Sequence, residues 1–155
     1  MEKIDSLNQV AEFHRTFNAP ILETPQIPSK ERCELRVSLL QEELNELKQA
    51  IEDNDLVEIA DALCDLQYVL SGAVLEFGLG EKFVELFNEV QRSNMSKACD
   101  TELQAQETVE NYKAKGEEAF YEKSGDKYNV HRISDNKVLK NKYYSAADLK
   151  SIIEK

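Results

Sequence analysis

The sequence predicts an all-α fold, a bundle of four to five helices that carries a small C-terminal β-hairpin or meander and a short final helix. Three observations predict it. Apolar residues recur three and four apart through most of residues 4–97, which is helical periodicity. All three prolines fall in one short stretch, 20–28, leaving the long periodic segments unbroken. After Gly116 the pattern changes to short alternating runs separated by turn residues. A chain of 155 residues can hide roughly 70% of the surface its unfolded form exposes, enough for one core without staples. We therefore expect a single domain over 1–155, with a helical core in 1–97, a helix plus hairpin inserted at 98–133, and a basic tail at 134–155 that returns to the functional site.

The first helix is expected from Ile4 to about Phe17, with Ile4, Leu7, Val10, Ala11, Phe13 and Phe17 as its apolar positions. It ends in NAPILETPQIPS, where Ser29, with Glu31 and Glu34 close behind, reads as the start of the next helix. That second helix, 30–53, carries Val37, Leu40, Leu44, Leu47 and Ile51 at alternating spacings of three and four, the period of a helix packed on other helices. The DND run at 53–55 breaks and re-caps the chain. The third helix, 55–77, is apolar nearly all round, so it is either central or covered on its second side by a partner subunit.

A GLG turn at 78–80 leads into a fourth helix through 97, with Phe83, Leu86, Phe87 and Val90 inward. A fifth runs from Thr101 to Lys115, stopped by Gly116. The runs AFYEK, YNVHRI and SDNKVLK then read as two or three short strands, and YSAADLKSIIEK as a closing helix capped by Ser145.

Composition narrows the function. With 19 Lys and Arg against 30 Asp and Glu, the net charge of -11 disfavours binding to nucleic acid. Three cysteines, at 33, 64 and 99, with no paired spacing and no nearby histidine, argue against a disulfide framework or a zinc knuckle. The N-terminus lacks the plan of a signal peptide and no apolar run approaches a membrane span, so a cytoplasmic protein without membrane association is expected. The charge is uneven: residues 31–81 hold 13 acids and 3 bases, whereas 127–155 hold 3 acids and 7 bases.

On the third helix, Glu58, Asp61 and Asp65 fall within a stripe about 60° wide, at about 100° per residue. Their neighbours off the stripe are apolar or small, and between Lys48 and Lys82 there is no Lys, Arg or His. A carboxylate so placed must be paired, protonated or bound to a metal. The second helix offers a matching set, Glu43 and Glu46, with Glu42 further round. An antiparallel pair joined by DND lets these face Glu58 and Asp61. An all-oxygen site of this kind suits a hard divalent cation, Mg²⁺ above all, with Mn²⁺ as substitute. A di-iron carboxylate bundle is excluded, because neither His14 nor His131 follows a Glu at the required spacing.

EELNE at 42–46, eleven residues, then EIAD at 58–61 resembles the EExxE…ExxD motif of the all-α nucleoside triphosphate pyrophosphohydrolases. That superfamily includes MazG, the dimeric dUTPases and phosphoribosyl-ATP pyrophosphohydrolase. EFHRTFNAPILETP, ADALCDLQYVLSGAVLEFGL, EVQRSNMSK and DNKVLKNKYYSAADL extend the likeness in order to its MazG-like, phosphoribosyl-ATP-pyrophosphohydrolase-like branch.

The resemblance implies Mg²⁺-dependent hydrolysis of a nucleoside triphosphate to monophosphate and pyrophosphate, by water activated for attack on the α-phosphorus. Glu43, Glu46, Glu58 and Asp61 would hold metal, Glu42 or Glu46 would position or deprotonate the water, and the protein would be a homodimer or homotetramer. Asn94, Lys97 and Lys140 are expected to reach the nucleotide, with Lys137 a weaker candidate. Asp65 would bind metal or accept a hydrogen bond from Tyr68 or a ligand, and His14 would lie toward the base with Phe13 and Phe17. The insert at 98–133, about 35 residues lying between SNMSK and the KVLK segment, reads equally as lid, oligomer contact or spacer. Two other readings stand beside this one: phosphoribosyl-ATP hydrolysis in histidine synthesis, and a helical dimer that binds nucleotide or Mg²⁺ without turnover.

Overall fold

The computed structural model describes residues 4–155. Its elements run α1 (Ser6–Thr16), α2 (Lys30–Glu52), α3 (Leu56–Glu76), a 3-10 turn (Gly80–Lys82), α4 (Phe83–Met95), α5 (Glu102–Ala114), β1 (Ala119–Ser124), β2 (Lys127–Arg132) and α6 (Leu149–Ile153). By its internal contacts the chain divides into two compact units, Met1–Phe83 and Val84–Lys155.

In the first unit α3 packs against both α2 and α1. Ser29 starts α2 as expected, its hydroxyl accepting from the Arg32 N–H. The link between α2 and α3 is Asp53–Asn54–Asp55. Asn54 takes φ 54°, and the Asp55 carboxylate accepts from the N–H groups of Val57 and Glu58, so the DND run stops one helix and caps the next.

Residues 18–29 then strap the first unit together. Leu22 donates its N–H to the Leu75 carbonyl at 3.0 Å and Gln26 to that of Phe77 at 3.1 Å. Gly78, at φ 68°, permits this approach: a Cβ there would stand 1.9 Å from the Thr24 carbonyl oxygen. Val10, Ala11 and Leu75 form the buried core of the unit, with Ile21 packed on it.

The apolar stripe of α2 divides. Leu40 and Leu47 are half-buried, but Val37, Leu44 and Ile51 are exposed. Leu56, Leu63 and Leu70 of α3 are exposed too. Among the described residues α2 and α1 are the helices packed closely on α3, and they leave part of this nearly all-round apolar helix uncovered.

The second unit places α5 against a two-stranded antiparallel sheet in which Phe120 pairs with His131 and Ser124 with Lys127. Gly125, at φ 61°, makes the tight turn, and Gly116, at φ 80°, follows α5 as expected. Cys99, Ala105, Val130 and Leu139 are its buried core, ringed by Val109, Tyr112, Tyr121 and Tyr128. Burial raises the Cys99 thiol pKa above its ordinary value. All three cysteines are free.

Of the two or three strands expected, two form: the SDNKVLK run adds only a single bridge, Val138 to His131, after a turn at Asn136, φ 57°. Two expectations need correction. The last helix is capped by Asp148, whose carboxylate accepts from the Ser151 N–H, while the Ser145 N–H is given to the Ser96 hydroxyl. Phe87 of α4 is exposed; Leu86 is the buried apolar residue of that helix.

Candidate active site

Eleven residues along α2 from Arg32 stands Glu43, and eleven residues back along α3 from Glu76 stands Asp65. Arg32 and Arg36 both bond the Glu76 carboxylate, which fixes the register of the antiparallel pair and so decides which acids meet further along it. Glu43 is half-buried, and its Oε2 is buried with no hydrogen-bond partner among the described residues. Burial, and then the negative charges of Glu46, Asp65, Glu42 and Asp61, hold its carboxyl above the usual carboxylate range. These five acids share one local field. Glu58 lies one turn before Asp61 on the same face of α3, exposed, in the first turn of the helix.

The structure therefore gathers most of the acids singled out by the sequence around Glu43. It leaves Glu42, Glu46, Glu58 and Asp61 solvent-exposed within the chain, less sheltered than an all-round apolar α3 implied. Among the described residues no group of three or more His, Cys, Asp or Glu side chains is drawn into metal-holding geometry. Like charges on exposed helix faces splay toward water. The donor chemistry nevertheless fits a hard divalent cation: every donor is a carboxylate oxygen, and one of them is buried without a partner.

His14 is buried, its Nδ1–H donated to the Pro20 carbonyl at 2.8 Å. Phe13 and Phe17, by contrast, are exposed on α1 and at its end.

The remaining candidates lie in the second unit. Lys97 donates to the Asn94 side-chain oxygen at 2.8 Å at the end of α4. The tail returns to this point: Asn141 gives its N–H to the Lys97 carbonyl at 3.1 Å and its side-chain amide to the Ala98 carbonyl at 3.0 Å. Neighbouring Lys140 sets its ammonium 4.4 Å from the centre of the Tyr144 ring. SNMSK and KVLK, over 40 residues apart at Lys97 and Lys140, are thus adjacent. Lys137 is held through its own N–H to Asp135, its side chain exposed. Glu89, on the same helix as Asn94, takes Arg92 and the Asp148 N–H, which push its carboxyl down to about 2 and anchor the tail along α4.

Sequence reasoning missed the Arg32, Arg36 and Glu76 group. The signal was there: two arginines four apart on a packed helix, and one acid at the end of an apolar run. It also missed Gly72, whose place inside α3 gives room to Arg36 and His14. Tyr68, expected as a hydrogen-bond donor, meets Phe13 edge-on with its ring at 5.6 Å.

No single helix among the described residues is long and apolar enough to cross a membrane. In comparison with known proteins, the chain is 24% identical to an uncharacterized protein of Acanthamoeba polyphaga mimivirus, an alignment covering 99% of this chain and 97% of the relative. The profile of the phosphoribosyl-ATP pyrophosphohydrolase family matches residues 10–94, which take in α2, α3, the carboxylates around Glu43 and Asn94. That match spans more than half of the chain and carries the acidic motif in its middle, so this protein belongs to the phosphoribosyl-ATP pyrophosphohydrolase family, within the MazG-like superfamily of nucleotide pyrophosphohydrolases.

Proposed function

We propose that the protein is a Mg²⁺-dependent nucleoside triphosphate pyrophosphohydrolase that converts an NTP or dNTP and water to the monophosphate and pyrophosphate, a house-cleaning activity on the nucleotide pool. The observation that carries this reading is Glu43: a buried, unpartnered carboxylate oxygen in the field of four other acids. As an anion such a group is unfavourable unless a cation joins it, and a divalent ion would relieve all five acids together.

Glu43, Glu46, Glu58 and Asp61 would hold the metal, with Asp65 next in line along α3. A divalent cation held there would supply positive charge to neutralise the triphosphate and stabilise the leaving pyrophosphate. The chain's own residues do the rest. Glu46 orients the attacking water, and Glu42, exposed beside it, accepts the proton as the water oxygen bonds the α-phosphorus and the bond to the bridging oxygen breaks. Asn94, Lys97 and Lys140, adjacent in the second unit, supply hydrogen bonds and positive charge to phosphate oxygens.

The family match equally fits hydrolysis of phosphoribosyl-ATP, which is the same cleavage on a substrate with a larger base side. The uncovered apolar rows, Val37, Leu44 and Ile51 on α2 and Leu56, Leu63 and Leu70 on α3, each repeating every seven residues, support the reading of a homodimer or homotetramer. A binding protein without turnover would keep the acids but release no product.

Incubation with Mg²⁺ and a panel of NTPs, dNTPs and phosphoribosyl-ATP, following pyrophosphate release, tests the proposal. Pyrophosphate is expected as first product from wild type and its loss from Glu46→Gln and Asp61→Asn. Orthophosphate as first product, or full activity in both variants, overturns it.

A further inference from the structure

Lys127, Lys142, Lys150 and Lys155 of the second unit each meet a carboxylate, those of Asp100, Glu107, Glu154 and Glu85 in turn. Lys97 and Lys140 are held differently. The Lys97 ammonium donates to the Asn94 side-chain oxygen at 2.8 Å, and that of Lys140 stands 4.4 Å from the centre of the Tyr144 ring. Neither has a carboxylate partner among the described residues. Lys115 and Lys123 also approach rings, those of Tyr112 and Tyr128, but only at 5.5 and 5.9 Å. A neutral partner orients an ammonium without cancelling its charge, so an arriving anion has no carboxylate to displace.

Tyr144 is itself fixed. Its hydroxyl is hydrogen-bonded at 2.9 Å to that of Ser93, buried on α4, and its N–H is given to the Asn141 carbonyl at 2.9 Å. Beside it the Ser145 N–H meets the Ser96 hydroxyl and Arg92 donates to the Ala146 carbonyl, both at 3.0 Å. Ser93 precedes Asn94 by one residue and Lys97 by four. The end of α4 that leads to one lysine therefore also anchors the ring that holds the other.

We propose that Tyr144 is a positioning residue for polyphosphate binding. Its ring pre-orients the Lys140 ammonium, and its hydroxyl, through Ser93, keys that ring to the end of α4 beside Lys97. This rests on the reading above that Lys97 and Lys140 meet phosphate oxygens. A lysine already held in place has less rotamer freedom to lose when the anion arrives, and that saving appears as affinity. In this role Tyr144 acts only through Lys140, so its effect vanishes once the ammonium is removed.

A double-mutant cycle separates this role from packing. Full-length protein is titrated in Mg²⁺ with inorganic tripolyphosphate, and KM and kcat are taken from pyrophosphate release with the best substrate of the nucleotide panel. Tyr144→Leu should weaken tripolyphosphate binding about three- to thirtyfold, with KM rising more than kcat falls. Tyr144→Phe, which keeps the ring, should lose less, and Ser93→Ala should match it. Lys140→Met should cost wild type at least as much as Tyr144→Leu does, and cost the Tyr144→Leu background clearly less. Should Tyr144→Leu not fold, the same shrinkage is expected in the Tyr144→Phe and Ser93→Ala backgrounds. Additive losses throughout overturn the positioning role and make Tyr144 a packing residue, while pyrophosphate release by wild type keeps the pyrophosphohydrolase reading. Unchanged binding and KM in Lys140→Met also overturn it, by removing Lys140 from the site. Wild type that neither binds tripolyphosphate nor releases pyrophosphate defeats both readings.

Discussion

Arg32 donates from Nε to Glu76 Oε2 at 3.0 Å, tying the first turn of α2 to the last turn of α3. Arg36, one turn on, bonds the other oxygen of the same buried carboxylate. Left alone, burial would raise the Glu76 pKa; the two guanidiniums reverse that and hold it below the usual carboxylate range. This group sets the α2–α3 register and so places Glu43 opposite Asp65.

Glu76→Gln is accordingly expected to destabilise the protein by about 3 kcal/mol or more, because it leaves two guanidiniums facing a neutral group. The pH dependence has a definite sign. A depressed carboxyl stabilises the fold above its unfolded pKa, and that contribution is lost as pH falls through the folded value. Denaturant melts from pH 7 to pH 3 should show an acid limb in wild type that is flatter in the variant.

Gly72 should be intolerant of alanine despite its helical position. Helix propensity alone would favour Gly72→Ala by about 1 kcal/mol. A Cβ would, however, stand 2.7 Å from Arg36 Nη1 and 3.0 Å from His14 Nε2, and both side chains are buried and bonded elsewhere. A net loss of about 1–3 kcal/mol is expected in urea unfolding.

Glu43 carries the opposite sign to Glu76. Its raised carboxyl costs stability above its folded pKa, and the cost vanishes as pH falls below the unfolded value. In metal-free buffer at pH 7, Glu43→Gln should therefore raise the melting temperature, with the gain disappearing near pH 4. Added Mg²⁺ should stabilise wild type and not the variant, whose pyrophosphate release should drop about 100-fold or more.

Asn141 joins the tail to the end of α4. Besides its bonds to Lys97 and Ala98, its side-chain oxygen accepts from the Tyr143 N–H at 3.0 Å, and the residue is buried. Asn141→Ala leaves the Ala98 carbonyl and the Tyr143 N–H without their partner, at a cost of about 1–3 kcal/mol. If Lys97 and Lys140 serve one substrate, KM should rise more than kcat falls.

Local chemistry made much of this legible beforehand. Ser29, the DND run and Gly116 each act on their own backbone neighbours, so their roles at helix ends could be read from the sequence alone. Helix spacing put Glu58, Asp61 and Asp65 on one face, and the motif with Glu42, Glu43 and Glu46 identified the family that the profile match shows. Ser145 is not the cap because the last helix begins only at Leu149, where the Asp148 carboxylate accepts from the Ser151 N–H.

What the sequence determined by itself was whatever depends on residues within a turn or two: helix extents, caps, the acidic face and the motif. Tertiary structure decided the rest. It chose the α2–α3 register through Arg32, Arg36 and Glu76, buried one oxygen of Glu43, and closed more than 40 residues between Lys97 and Lys140 through Asn141. Burial and partner choice are properties of neighbours distant in the chain, and helical periodicity places a residue on a face without specifying what meets it.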